Sequence, residues 1–227
     1  MTHKLIRETT VIVPTYNHSR YLDRCLRSIL SQKNYQDFEI ICVNDGSKDQ
    51  SASVLARYES ELTILTNSEN RGLPFSINRA ILESTGRFII RVDSDDYVSE
   101  NFLHILTMTL KSNSKIDAAA CDYEIVGEVN SNRIVDCIAE PIACGIMFRR
   151  DSLFDVGLYD EGFRLHEDKE LMSRFQNKYK VTRVPIPLYR YRMHSSNITK
   201  NLEDSELYLK KLSQKKEASV ETGKQGT

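Results

Sequence analysis

Asp93, Asp95 and Asp96 place three carboxylates within four residues, in the run Arg91-Val92-Asp93-Ser94-Asp95-Asp96-Tyr97. Carboxylates this close repel one another, and a cation normally offsets the repulsion. A divalent metal that also holds phosphate oxygens suits such a cluster, because hard cations prefer oxygen and neutralise both sides. The run follows an apolar segment, Phe88-Ile89-Ile90-Arg91-Val92. The carboxyl end of a strand is where open α/β sheets bind ligands. A plainer role also exists: aspartates in a polar loop cap the helix that begins near Ser99.

Two further polar runs end strand-like segments, Val13-Pro14-Thr15-Tyr16-Asn17 and Val43-Asn44-Asp45-Gly46-Ser47-Lys48-Asp49. In a doubly wound sheet they are neighbours on the ligand edge, where exposed N–H groups and Asp45 offer hydrogen bonds to a nucleobase. They also have an ordinary structural reading. Asn-Asp-Gly-Ser is good turn chemistry, and Ser47 or Asp49 a good helix cap.

The elements that must position these groups follow from periodicity. Thr9–Pro14, Phe38–Val43, Leu62–Leu65 and Phe88–Val92 read as buried strands. Between them, Tyr21 to Leu30, a short stretch with Val54, Leu55 and Tyr58, and a segment with Ile77, Ala80 and Ile81 have helical spacing. Pro74 suits the start of the last of these and Gly86 its end. Four alternations predict an α/β fold with a mostly parallel, doubly wound sheet. After an amphipathic helix at Ser99–Lys111 the rhythm changes. Strands are expected at Ala118–Val126, Arg133–Ile138 (after a Gly127–Asn132 turn) and Ile142–Arg149. A helix follows through Asp168–Tyr179, then strands at Val181–Val184 and Leu188–Arg192. This half predicts mixed, partly antiparallel strands on the same sheet.

Composition narrows the function. The chain has 227 residues, a net charge of −1 and 28% charged residues, an ordinary globular balance without the basic excess of a nucleic-acid binder. No run approaches the length of a membrane span, and the amino terminus lacks a signal-peptide core, so a cytoplasmic protein is expected. Cys25, Cys42, Cys121, Cys137 and Cys144 form no Cys-x-x-Cys pair and read as reduced core residues.

Val-Ile-Val-Pro-Thr-Tyr-Asn, Val-Asn-Asp-Gly-Ser-Lys-Asp, Asn-Arg-Gly-Leu and Asp-Ser-Asp-Asp, in this order, resemble the family-2 inverting glycosyltransferases of the GT-A fold. The resemblance runs from about Thr9 to Thr199. It implies a GT-A domain over residues 1–200, with a nucleotide-binding half at about 1–98 and an acceptor-binding half at 99–200. Residues 201–227 would form a polar C-terminal helix and tail. The implied reaction moves a sugar from a nucleotide diphosphate donor, by default a UDP-sugar, to an acceptor hydroxyl.

The implied site follows residue by residue. Asp95 is the main ligand of Mn2+ or Mg2+, and Asp93 faces the ribose and metal with Ser94 beside it. Asp96 anchors a loop or the acceptor. Asp45 contacts the base, with Pro14, Thr15, Tyr16 and Asn17 next to it, and Arg71 and Gly72 lie near the nucleotide or donor sugar. Asp168, in Leu165-His166-Glu167-Asp168-Lys169-Glu170, matches the general base; acidic residues here also simply complement a helix dipole. His194, in Tyr189-Arg190-Tyr191-Arg192-Met193-His194, matches a metal or diphosphate contact, although a lone histidine is often merely structural. Cys144-Gly145 is a small pair that lets the sugar or acceptor approach, or a tight bend.

The implied partners are a nucleotide-sugar donor and a saccharide or lipid-linked saccharide acceptor for cell-surface polysaccharide or glycolipid. Peripheral membrane contact is the alternative reading of the basic stretch around Lys210, Lys211, Lys215 and Lys216; a helix packed on the domain is the favoured one. Two rival readings are a sugar-phosphate nucleotidyltransferase, which wants a glycine- and arginine-rich first loop, and a non-catalytic nucleotide-sugar-binding module. A phosphatase with an aspartate nucleophile would carry its Asp-x-Asp after the first strand, not the fourth.

Overall fold

A computed structural model describes residues 6–127, 133–194 and 208–215. In the first half, strands β1 (Thr9–Thr15), β2 (Phe38–Asp45), β3 (Thr63–Asn67) and β4 (Phe88–Arg91) alternate with helices α1 (Ser19–Leu30), α2 (Ser51–Ala56) and α3 (Leu73–Glu83). The strands pair in parallel in the order β3-β2-β1-β4, as the alternation predicts. Every residue of β1 and β4 is buried, and β-branched residues with no polar alternation suit such central strands. Leu22, Cys25, Leu26 and Ile29 give α1 its buried stripe.

The second half comprises β5 (Tyr97–Val98), α4 (Phe102–Ser112), β6 (Ala118–Gly127), β7 (Arg133–Val135), β8 (Ile146–Arg149), α5 (Arg150–Asp155), α6 (Glu167–Gln176) and β9 (Val181–Met193). β8 runs antiparallel to β4 and β6, β9 parallel to β6, and β5 antiparallel to β9, so one mixed sheet spans the molecule. All five cysteines are buried and free, as expected of core residues.

Elements β5 and α5 were not expected, and several boundaries differ from the sequence-based reading, four of them for a clear local reason. β7 stops at Val135 because Asp136 Oδ1 accepts from the backbone N–H of Ile138 at 2.8 Å, turning the chain. α4 starts at Phe102 because Ser99 N–H donates to Leu188 O and stays extended. β8 starts at Ile146, directly after Gly145 at φ +72°. β9 is one strand where two were expected: it bulges between Val184 and Tyr189, where Pro185 and Pro187 have no N–H for the ladder. Part of the expected Gly127–Asn132 turn, the Ser195–Thr199 end of the last motif and the polar C-terminal segment apart from 208–215 lie outside the described residues.

Residues 208–215 form a further helix, α7, that packs on the domain. Leu212 is buried, Lys211 Nζ donates to Gly162 O at 2.6 Å, and Lys215 pairs with Asp160 and Glu170 at 2.6 and 2.7 Å. Among the described residues no helix is long and apolar enough to cross a membrane.

Candidate active site

The site is built on the carboxyl ends of β1, β2 and β4. Parallel pairing sets Thr15 beside Asn44, and the loops that follow clamp each other. Asn17 N–H donates to Ser47 Oγ at 3.0 Å, and Lys48 N–H donates back to Asn17 Oδ1 at 2.8 Å. Asp49 accepts the backbone N–H of Ser19 through one oxygen and that of Ser51 through the other, both at 2.9 Å, fastening the starts of α1 and α2 together. Gly46 holds φ +68°, and a Cβ there would lie 2.4 Å from Glu69 C, so only glycine fits this turn.

Asp45 is buried beneath the next loop. Its oxygens accept the N–H groups of Arg71 and Gly72, each at 2.9 Å, and the Asn67 amide at 2.7 Å. The structure therefore brings Asp45, Arg71 and Gly72 together through the backbone, while the Arg71 side chain lies over the Phe75 ring. Tyr16 is exposed at the rim. Thr15 Oγ1 is buried, with no hydrogen-bond partner among the described residues.

The three clustered aspartates have three different environments. Asp93 receives a two-pronged pair from Arg91, Nε to Oδ1 at 2.6 Å and Nη2 to Oδ2 at 3.0 Å, and its Oδ2 also accepts from Cys144 Sγ at 2.8 Å. Burial pushes the Asp93 carboxyl up, but the Arg91 guanidinium outweighs it and holds the group below the usual carboxylate range. Asp96 faces inward: Tyr189 Oη donates to Oδ2 and Arg192 N–H to Oδ1, both at 2.7 Å, so it anchors β9 to the loop. Burial first, then the Asp95 and Asp93 charges, push its carboxyl well up. Asp95 Oδ2 lies 2.9 Å from His194 Nε2.

Around that pair, Tyr21 stacks on the His194 ring at 4.9 Å, and the His18 ring meets it edge-on. His18 Nδ1 also bonds the buried Ser94 Oγ at 2.8 Å. Carboxylate oxygen and imidazole nitrogen are the donors that manganese or magnesium sites of this kind employ, so Asp95 and His194 fit a metal. Asp93, although paired with Arg91, also lies in a group with Asp96 and Cys144 whose ligand atoms are all within 4.8 Å of one another, so it too could hold a metal.

Asp168 stands in the first turn of α6, half-buried, beside Glu167. It lines a cavity of about 230 Å³ together with Ile138, Ile142, Lys169 and Met172. Glu167 is buried and receives Arg91 Nη1 at 3.0 Å. Burial pushes its carboxyl up against the pull of that guanidinium.

Comparison with known proteins accords with this geometry. The model of the family described as "Glycosyl transferase family 2" matches residues 10–164. This chain belongs to glycosyl transferase family 2. Among family relatives, the Streptococcus pneumoniae glycosyltransferase GlyA is 39% identical over 99 residues, which take in 43% of this chain and 14% of that protein. The uncharacterized glycosyltransferase EpsJ of Bacillus subtilis is 27% identical over 223 residues, 86% of this chain and 64% of that protein. The chain thus spans less than two thirds of these relatives' lengths.

Solved structures share the GT-A fold. Staphylococcus aureus TarS in complex with UDP-GlcNAc has a TM-score of 0.72 at 21% identity, over 86% of this chain and 61% of that one. The mannosyltransferase PcManGT of Pyrobaculum calidifontis, in complex with GDP-Man and Mn2+, has a TM-score of 0.68 at 18% identity, over 86% and 59%.

Within the family-2 frame, the sequence motifs contain Arg91, Glu167 and Tyr189 but suggested no separate role for them or for His18. Arg91 had a signal, a cation at the end of an apolar strand two residues before an aspartate. Glu167 had none beyond its neighbour. His18 follows Asn17 directly in a strand-end loop, which places it on the ligand edge with the residues that were recognised.

Proposed function

We propose that this chain is an inverting glycosyltransferase that moves one sugar from a UDP-sugar to an acceptor hydroxyl, in the assembly of a cell-surface polysaccharide or glycolipid. The observation that carries the reading is the Asp95–His194 contact. It joins the loop after β4 to the end of β9 at the edge where the β1 and β2 loops also converge. Asp95 and His194 would hold Mn2+ or Mg2+. When bound, the metal stabilises the negative charge that grows on the departing diphosphate.

The remaining roles belong to the protein. Arg91 fixes Asp93 toward the ribose side, next to Ser94. Asp45 serves the nucleotide through the Arg71–Gly72 loop whose N–H groups it holds, and Pro14, Thr15, Tyr16 and Asn17 flank the base. Asp168 accepts the proton of the attacking hydroxyl, which must approach from the face opposite the leaving group. Support for a uridine donor and a surface product comes from relatives. TarS, solved with UDP and UDP-GlcNAc, is named a poly(ribitol-phosphate) beta-N-acetylglucosaminyltransferase. The Bacillus subtilis relative GgaB is named a minor teichoic acid biosynthesis protein.

Calorimetric titration with UDP, GDP, CDP and dTDP, with and without manganese, tests the donor site on wild type and Asp95→Ala. Binding of UDP that needs both metal and Asp95 is expected. Binding of another nucleotide would replace the donor. Metal-independent binding, equal in Asp95→Ala, would remove Asp95 from the metal. Metal-dependent UDP binding with no transfer to any saccharide acceptor would favour a non-catalytic binding module.

A further inference from the structure

The structure assigns Arg91 a positioning role: its guanidinium ties the Asp93 side of the site to the first turn of α6 and thereby sets the place of Asp168. The inference rests on the function proposed above and deepens it. Arg91 is the last residue of β4 and is buried. All three of its side-chain nitrogens donate. Nε and Nη2 grip the two oxygens of Asp93, and Nη1 reaches Glu167 Oε1 at 3.0 Å, 76 residues further along the chain. Glu167 opens α6, and Asp168 follows it directly.

Two observations argue that this link serves the site as well as the sheet. A buried charge at the end of a strand is a poor way to stabilise a sheet, since a well-packed apolar side chain does as well or better. The start of α6 also lacks the usual anchor. Its N-cap residue, His166, sits in the left-handed region at φ 57° and makes no side-chain cap hydrogen bond. One turn on, Arg174 and Lys215 hold Glu170. At the first residue, Glu167, the side-chain partner is Arg91. Only a planar fork can grip one carboxylate with two nitrogens and reach a second with the third, so lysine cannot replace it. Losing the Glu167 arm frees the turn that carries the base, and a shift of about 1 Å in a catalytic group costs about 100-fold in rate.

The test separates position from chemistry. Glu167→Ala should lower kcat for sugar transfer by about 100-fold while UDP–manganese affinity stays within about threefold of wild type. Glu167→Gln still accepts from Arg91 and should keep kcat within about fivefold. Arg91→Lys, which keeps a cation beside Asp93 but loses the second arm, should repeat the kcat-specific loss.

An unchanged kcat in Glu167→Ala overturns the proposal. So does a Glu167→Gln defect as deep as that of the alanine variant, which would give the carboxylate a chemical role of its own. If Glu167→Ala fails to fold, Arg91→Lys decides: the kcat-specific loss supports the link and wild-type kcat overturns it. Should wild type itself transfer no sugar, the function proposed above fails, and the link is read without turnover. Amide exchange over residues 167–176 in the ligand-free protein should then be faster in Arg91→Lys and Glu167→Gln than in wild type, with the larger rise in Arg91→Lys. Equal exchange in all three overturns it.

Discussion

The two halves of the site are held by different means. On the nucleotide side, side chains of strand-end loops bond the backbone of neighbouring loops: Asn17 with Lys48, Asp49 with Ser19 and Ser51, Asp45 with Arg71 and Gly72. Around Asp168, the proposed general base, charged side chains meet across the fold: Arg91 with Glu167, Arg183 with Asp122, and Lys215 with Glu170. Backbone turns define the first surface, and ion pairs between distant elements define the second. The first should therefore fail when its turns are altered, and the second when one partner of a pair is removed.

The largest effect belongs to the base. Asp168→Asn leaves the nucleotide loops untouched, so UDP–manganese binding should stay near wild type while kcat falls about 10³- to 10⁴-fold. Full turnover with a true acceptor would reassign the base. On the other side, Gly46→Ala forces a methyl group to within 2.4 Å of Glu69 backbone carbon at φ +68°. Two effects coincide there, a strained left-handed conformation and a backbone that must move. A loss of about 3 kcal/mol in denaturant unfolding is expected, with weakened UDP binding. An unaffected Gly46→Ala would show that this turn is softer than its geometry implies.

That contrast also explains what the sequence made legible. β1, β2 and β4 were readable because buried parallel strands are continuous apolar runs and their loops carry recognisable turn residues. The placing of Asp45, Arg71 and Gly72 near one nucleotide site came from the family resemblance of their motifs. The Arg91–Glu167 link was not legible, because nothing local says which of many acidic residues a buried arginine meets 76 positions later. The unbroken β9 was hidden by its prolines, which read as a strand break when only local propensity is weighed. Asp93 shows the same limit: its neighbours suggested a metal ligand, and only the fold shows that Arg91 and the distant Cys144 also bond its oxygens.

A smaller effect probes the second half directly. Arg183 grips Asp122 with two hydrogen bonds, at 2.9 and 2.6 Å, and reaches Asp136 at 2.7 Å. Arg183→Met would leave the buried Asp122 carboxylate with the Cys137 N–H at 3.1 Å and no cation among these contacts. Stability should fall in thermal or denaturant unfolding, because the carboxylate loses its cation. Asp122→Asn combined with Arg183→Met should recover part of that, because the uncompensated charge goes with its partner. Equal losses in the single and double variants would show that packing of the arginine stem, rather than charge, is what the pair supplies.

The smallest effect is also the sharpest on the comparison, because it tests charge on the side where backbone turns dominate. Burial pushes the Asp49 carboxyl up, yet hydrogen bonds from Ser51 and Ser19 outweigh it and bring the group from 3.8 down to about 2. A carboxylate lowered on folding stabilises the fold at every pH above its unfolded value, and that contribution is lost as pH falls through the folded value. Asp49→Asn should therefore cost about 1 kcal/mol near neutral pH, because the side chain keeps its shape and loses the charge that strengthens these hydrogen bonds. The gap between wild type and variant should narrow from about pH 4 downward and nearly close around pH 2. A gap that stays constant over that window would mean that the shape of the cap, rather than its charge, fastens the starts of α1 and α2. The clamp between α1 and α2 would then be neutral turn chemistry, in contrast to the ion pairs around Asp168.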